Sequence, residues 1–453
     1  MNRINQGCRS QQGSVLVVVM GLLFISVGLV FTILDVASNA RKAAAEQAAM
    51  EQAMFVAEGG MEVGTRFLES NVVALVTSST GATNGAGTIS TGASNTGTYN
   101  YYITRTNGSS FSIISTGSVN AVVHAGKVSR VVSLMRVYQP SYAQYAFWAA
   151  TNGAISFAIT DTFNGAVHTD DQMTFISSGG NGATFHSTCT SLATTYGGDD
   201  SSCTFDYGLG LGVYEGTMAA VDFNSAASTS LKSIATAAGA SGLVLSGTTT
   251  ITFNGGTVSI SNPLHSPAWV NHSFTITGDT IIYVQASNTG TASLQPGTVY
   301  LNGGQVTGRL TIASENDMTV GGNITYTTDP VAHPTSTDAL GLLSYDDIYV
   351  GTSAPNNLTI DAAIMATGAS SSANSPGSFG VNNYNTGSPR GNLNVYGGIV
   401  QEVRGAVATV SNGSVVTGYS KNYSYDPRFI NTPPPYYPTV SGVLKYTSWQ
   451  ESH

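Results

Sequence analysis

Twenty uncharged residues, Val15 to Leu34 (VLVVVMGLLFISVGLVFTIL), follow a polar N-terminal stretch. As a helix, at 1.5 Å per residue, they span about 30 Å, the thickness of a bilayer's hydrocarbon core. A helix also satisfies its own backbone in lipid. The pattern then becomes one-sided. Residues 36–69 are rich in the helix formers Ala, Glu, Gln and Met. Met50, Met54, Ala57, Met61 and Leu68 recur on one face, widened by Val56, Val63 and Phe67. One helix over 15–69 is predicted, roughly 80 Å long, with Gly59-Gly60 as its natural bending point. Its first half lies in lipid and its second half packs on protein.

The period changes to two further on. Residues 71–98 (NVVALVTSSTGATNGAGTISTGASNTGT) are short and nearly uncharged and are expected to form a linker. TYNYYITR at 98–105, SFSIISTGSV at 110–119 and VSRVVSLMRVY at 128–138 alternate as strands, with Asn107-Gly108 as a hairpin turn. Their apolar face is expected to bury the one-sided half of the helix. From about 141 to 453 many short strands follow, broken by Gly and Asn, among them GLVLSG at 242–247, TIIYVQ at 280–285, RLTIASEN at 309–316, NLTIDAAIMA at 357–366 and NLNVYGGIV at 392–400. Only 215–239 has a helical pattern. A sandwich or a parallel β-solenoid fits, and the solenoid is preferred because each rung turns Val, Ile or Leu inward and Thr, Asn or Ser outward. Gly-Gly at 303–304, 321–322 and 397–398 is expected to make corners at positive φ. The Pro-rich tail 425–449 is expected to cap or clamp the rungs. The fold class is therefore mainly β: a long N-terminal helix, a small antiparallel sheet over 99–140 and a β-solenoid head.

Composition supports an exported, turn-rich chain. Only 9% of the 453 residues are charged, 52 are Gly, and the net charge is −9, which leaves no electrostatic footprint for nucleic acid. No Lys or Arg occurs between Arg136 and Lys232, a stretch holding eight acids. These could attract Ca²⁺, but a solvated surface is the simpler reading. The leader MNRINQGCRSQQG carries Arg3 and Arg9 and no acid, which favours a cytoplasmic N-terminus; Arg41 and Lys42 beyond the apolar run weaken that bias. An uncleaved signal anchor and an ordinary secretory signal ending at Ser38-Asn39-Ala40 are the simpler alternatives.

The order of these segments resembles a type IV prepilin. GSVLVVVMGLL at 13–23, AR at 40–41 and FVAEGGME at 55–62 are similar to a PilX-type N-terminus. The resemblance implies cleavage by a prepilin peptidase between Gly13 and Ser14, making 1–13 a leader and 14–70 the mature helix. It departs from major pilins at the fifth mature position, where Val18 replaces the usual Glu, which suits a minor or initiating subunit. YAFWA at 145–149, GLLSYDDIYV at 341–350, YGGIVQEVRGAV at 396–407 and PPPYYPTV at 433–440 resemble uncharacterised domains behind such N-termini. The resemblance implies partners among other pilins or pseudopilins, the inner membrane and the peptidase, with the head periplasmic or extracellular; it implies no chemistry for the head, for which a surface polysaccharide is one candidate ligand. No cofactor is implied.

Candidate chemistry is sparse. Cys189 and Cys203, with thirteen residues between them, are expected to bridge in an oxidising compartment, adding about 3 kcal/mol; Cys8 lies in the leader. His168, Asp170 and Asp171 form the most enzyme-like cluster, and Asp346, Asp347 and Asp361 could face it across a polysaccharide-cleaving groove. Arg309, Arg390 and Arg404 are the only bases between 233 and 420, and turn-bonding roles explain the acids better. GLGLGVYEG at 208–216 lacks the spacing of a phosphate loop, and His265 and His272 lack the acidic partners of a metal site. No catalytic or metal residue is assigned. The function expected is a structural pilin-like subunit, with a membrane-anchored polysaccharide enzyme and a static adhesin as alternatives.

Overall fold

The computed structural model describes residues 9–77, 82–90, 96–107, 110–120, 126–159, 161–216, 218, 221–287, 296–368, 376–411, 414–440 and 443–452. They are mainly β-strand behind one long helix, and form two compact units: 1–138 with 444–453, and 139–443. Cys8 lies outside the described residues.

In the first unit, helix α1 runs Arg9–Thr77 without a break at Gly59-Gly60. At 69 residues it is about 100 Å long. It ends beyond residue 70, so the expected linker begins as helix. The rest of that linker is also ordered in part: β1 (Ala82–Ser90) pairs antiparallel with β2 (Thr96–Asn107). The cause is side-chain complementarity. Gly85 and Gly87 stand opposite Tyr101 and Tyr99, whose rings occupy the space a side chain there would need, as aromatic residues do beside edge glycines. Next come β3 (Ser110–Asn120) and β4 (Lys127–Tyr138), and the C-terminal strand Ser448–Ser452 joins β4. The sheet order is β1-β2-β3-β4 and then the C-terminal strand, all antiparallel. Asn107 pairs with Ser110 across the expected hairpin, while Gly108 lies outside the described residues.

The buried stripe of α1 is Ala49, Ala53, Val56, Ala57, Met61 and Leu68, which packs on Ile103, Phe111, Ile113, Val119, Val132 and Leu134. Met50 and Val63, expected on this stripe, are 39% and 41% exposed. The stripe is rotated towards small residues because the sheet lies against the helix backbone. A β-carbon on Gly60 would stand 2.5 Å from Ser115 Oγ and 2.8 Å from the Tyr99 ring.

The second unit is a β-solenoid whose strands stack in parallel ladders. One inward column reads Leu243, Ile282, Ile312, Leu342, Ile364, Ile399, Phe147, Val167, Cys189 and Leu209, each paired with the next. Sequence order and stacking order therefore differ. The chain enters mid-stack at Tyr145–Thr151, winds outward to Leu209–Leu211, crosses over residues 212–241 and winds back from Gly242 to meet its own entry strand at Ile399. The outward residues of this ladder, Trp148, Val400, Met365, Leu343, Ala313 and Tyr283, are apolar because two segments cover them. One is the crossover, through Phe223, Leu231 and Ala235; among its described residues only Leu231–Ala237 are α-helix, started by the Ser230 side chain accepting from Ser233 N–H. The other is the Pro-rich tail, through Phe429, Tyr437 and Val440. Thr311 Oγ1 donates to the Pro435 carbonyl and Arg309 to the Pro433 carbonyl at 2.8 Å, so that segment straps the side of the stack rather than capping an end.

A second ladder carries an aromatic column. Phe205 stacks on Phe185 at 5.1 Å and Phe185 on Phe163 at 5.2 Å, with Tyr423 edge-on to Phe163 at 6.1 Å. Gly397 and Gly398, at φ 149° and 150°, turn the strand Pro389–Val403 from this ladder into the first, and Gly303 and Gly304 also take positive φ. Gly321 and Gly322 do not; Gly322 instead passes close to the Asn302 carbonyl, 2.3 Å from where its β-carbon would be.

Candidate functional site

The dominant feature of the first unit is the N-terminal half of α1. Val15–Glu69 is a helix long and apolar enough to cross a membrane, and no residue of the window that qualifies it is buried. Gly13 and Ser14 lie on this helix, and Val18 is exposed on it. The seat of the lower half on the sheet depends on residues that hydrophobic scoring passes over. A β-carbon on Gly117 would stand 2.2 Å from the Ala53 carbonyl oxygen and 2.3 Å from the Ala57 nitrogen. A glycine inside the run SFSIISTGSV was the available signal, since a glycine within a strand marks close backbone approach.

In the head, His168 is fully enclosed. Its ring lies 4.4 Å from Trp148, with Nδ1 2.8 Å from Thr190 Oγ1 and Nε2 3.2 Å from Asp170. Asp171 faces elsewhere: its carboxylate accepts from Asn152 N–H at 3.0 Å and Gln172 N–H at 2.7 Å, a turn-holding role. Asp346, Asp347 and Asp361 are not gathered around His168. Leu342 and Val167 are four steps apart in the ladder, which is roughly 19 Å. Asp347 instead accepts from Ser378 N–H at 2.6 Å and Tyr349 O–H at 2.7 Å, and receives Asp317 as an acceptor for its own N–H at 3.2 Å. Burial, with the Asp346 and Asp347 charges adding, pushes the Asp317 carboxyl up to about 6. Burial likewise pushes Asp361, which accepts from Tyr326 N–H at 3.0 Å, up to about 6. Among the described residues no three His, Cys, Asp or Glu side chains are placed to hold a metal ion.

A buried ionic group escaped sequence analysis because its members are up to 260 residues apart. Asp161 accepts from Lys421 Nζ at 2.8 and 2.9 Å and from Arg404 at 3.3 Å. Arg404 also lies over the Phe157 ring at 3.9 Å and donates to the Ile155 carbonyl at 3.2 Å. Burial holds both cations below their usual range, against the opposing pull of Asp161. The group joins the entry coil to the strand Ser414–Tyr425, which sequence alone would put at opposite ends of the head.

Cys189 and Cys203 are both free thiols, so the expected bridge is not formed here. Both border the solenoid interior, and Cys189 is committed to it, with Sγ 3.6 Å from Met173 Sδ. Burial, then the neighbouring Cys203, pushes the Cys189 thiol up. His265 and His272 are brought together only through Trp269, at 3.9 and 3.8 Å between ring centres. Two rings that near one indole cannot share a face, so they lie on opposite faces and cannot chelate one ion. Arg309 pairs with Asp279 at 2.6 Å, and the Arg390 guanidinium lies 4.5 Å from the Tyr419 ring centre.

No protein-family model matches this chain, and no curated protein matches it. Among solved structures, the competence-associated pilin ComZ from Thermus thermophilus aligns over 89% of this chain and 97% of that chain, at 13% identity and a TM-score of 0.35. At that TM-score the match decides nothing about fold or function.

Proposed function

We propose that this chain is a membrane-inserted, pilin-like structural subunit of a type IV pilus or a related secretion pseudopilus, acting as a minor or initiating member. The observation that carries the reading is the division of labour along one unbroken helix. Its first half is apolar and uncovered, and its second half seats an antiparallel sheet through Ala49, Ala53 and Ala57. Such a helix needs lipid or neighbouring apolar helices for its first half, and inserting it reversibly into either lets a subunit move from membrane to fibre. Val18 in place of an acid at the fifth position after Gly13 supports a minor rather than a bulk role. The head is proposed to be non-catalytic and to face the periplasm or exterior, with a surface polysaccharide as its ligand class. The enclosed His168 and the turn-bound Asp171 support the non-catalytic part of this reading.

The N-terminal sequence of the protein recovered from membranes tests the reading. Ser14 at the N-terminus, together with co-purification with pilins, is the expected result. A chain starting at Arg41, or one found only in the soluble fraction, contradicts it.

A further inference from the structure

The outward arm of the solenoid stops part-way round a coil. Its last full coil is made of Cys189–Ser191, Gly197–Gly198 and Thr204–Phe205, stacked in parallel on Ala166–Thr169, Thr174–Phe175 and Thr184–Phe185. Leu209–Leu211 opens a further coil by pairing with Cys189–Ser191. That coil goes no further. By Glu215, which accepts from Tyr145 O–H at 3.2 Å, the chain has turned back along the side of the stack. Among the described residues no strand pairs with the far side of Gly197–Gly198 or Thr204–Phe205. The opposite end is finished differently. There the helix Leu231–Ala237 lies so near Gly242–Ser246 that a β-carbon on Gly242 would stand 2.0 Å from the Ala235 carbonyl oxygen. Thr249–Gly255, beside it, is covered by the antiparallel strand Thr257–Asn262.

The uncovered edge ends a repeat. Thr162-Phe163-Asn164, Thr184-Phe185-His186 and Thr204-Phe205-Asp206 lie on successive rungs in register, each with its Phe turned inward. Phe163 and Phe185 are fully buried. Phe205 is only half-buried, because its ring lies flat on Phe185, 4° from parallel, and no further rung covers its other side. On the outside, Asp206 Oδ2 lies 2.9 Å from His186 Nδ1 one rung back, and the Asp206 side chain is 42% exposed. Asp199 and Asp200 stand between the two open strands. The arm brings no Lys or Arg of its own, since none occurs between Arg136 and Lys232.

We propose that an extended, basic segment of a different protein docks on this edge as the next strand, in parallel, with an aromatic ring on Phe205 and a Lys or Arg beside Asp206. A strand edge offers unpaired backbone groups to an incoming chain, and alternate side chains then set which chain is accepted. The next rung lies about 4.8 Å beyond Thr204–Asp206. An inward ring at that spacing continues the stack of Phe163, Phe185 and Phe205, and an outward cation there reaches the side of Asp206 that His186 leaves free. A second copy of this chain is a poor occupant, because two such ends meeting face to face set Asp199, Asp200 and Asp206 of one against those of the other, which repels. The docking is independent of the membrane insertion of α1 and joins the head to an unlike partner.

The test uses the detergent-solubilised full-length protein and two synthetic peptides that copy residues 196–207 with Cys203→Ser. One peptide keeps the acids; the other carries Asp199→Lys, Asp200→Lys and Asp206→Lys. The basic peptide should bind saturably and about tenfold more tightly than the acidic one. The same three charge reversals made in the protein should invert that preference. Phe205→Leu should weaken binding of the basic peptide about fivefold, and hydrogen exchange should slow at residues 204–206 when the peptide is bound. An unchanged melting temperature confirms that each variant folds; should the charge-reversed protein fail to fold, Phe205→Leu and the exchange map decide. Failure of the basic peptide to bind, equal binding of both peptides, a preference that survives the charge reversals, or slowed exchange elsewhere overturns the proposal. So does a homodimer as the main crosslinked product when benzoylphenylalanine replaces Tyr207. None of these outcomes touches the membrane reading, which the N-terminal sequence decides.

Discussion

Gly117 and Ala53 meet backbone to backbone: a β-carbon on Gly117 would stand 2.2 Å from the Ala53 carbonyl oxygen. The obstacle is main chain, which cannot swing aside as a side chain can. Gly117→Val should therefore force the helix off the sheet, at a cost of about 1–3 kcal/mol. Denaturant unfolding of the detergent-solubilised chain should show it, and Gly126→Ala, whose β-carbon meets nothing within 4 Å, should leave stability unchanged.

Asp161 is the counter-charge for two enclosed cations. Asp161→Asn leaves Arg404 and Lys421 without an anion and should destabilise the head by about 3–5 kcal/mol. Replacing all three by apolar residues of similar size should recover most of that loss. Thermal unfolding of the two variants beside the wild type checks both statements.

The pH response has a defined sign at Asp317 and Asp361. Both carboxyls are pushed up from 3.8 to about 6, so the folded head holds their protons more tightly than the unfolded chain does. Their contribution to stability is fully present below about pH 4 and is lost as the pH rises through about 6. Asp317→Asn should raise the melting temperature at pH 7 and flatten its fall between pH 4 and 7. A slope unchanged by the substitution contradicts this.

The thiols differ in access. Cys189 is enclosed and its proton is held tightly, whereas Cys203 is half-buried. Alkylation of the folded head should label Cys203 and spare Cys189 until unfolding. Peptide mapping of protein from an oxidising compartment would show whether the two close into a bridge there.

Trp269 is shielded on both faces by imidazoles. His272→Ala should open one face and increase collisional quenching of its fluorescence by acrylamide, while Trp148, fully buried, stays protected.

Several features were legible in the sequence because they are local. Val15–Leu34 declares itself by length, and β2 to β4 by alternation. The solenoid is visible in inward Val, Ile and Leu, as at Ile282 and Ile312. What failed to show was set by distant partners. Ala82–Ser90 has no strand pattern of its own and pairs because Tyr99 and Tyr101 fill the space beside its glycines. The helix stripe is legible through Ala57, Met61 and Leu68, but Met50 and Val63 are exposed while Ala49 and Ala53, too small to stand out in a sequence, are buried. The mid-stack entry is invisible because Phe147 pairs with Ile399, and no local pattern encodes a neighbour that far along the chain. The grouping of Asp161, Arg404 and Lys421 follows from that entry and was hidden with it.

The C-terminal strand closes the small sheet only after the whole solenoid has been made, and it does so against β4, the strand that the chain left to build the head. Tyr138 and Lys445, one before the excursion and one after it, exchange backbone hydrogen bonds at 2.9 Å. A drag force on the head is thus shared by two neighbouring strands instead of one. During synthesis, the sheet stays one strand short until residues 448–452 have been made, so a chain cut before them betrays itself by an open edge.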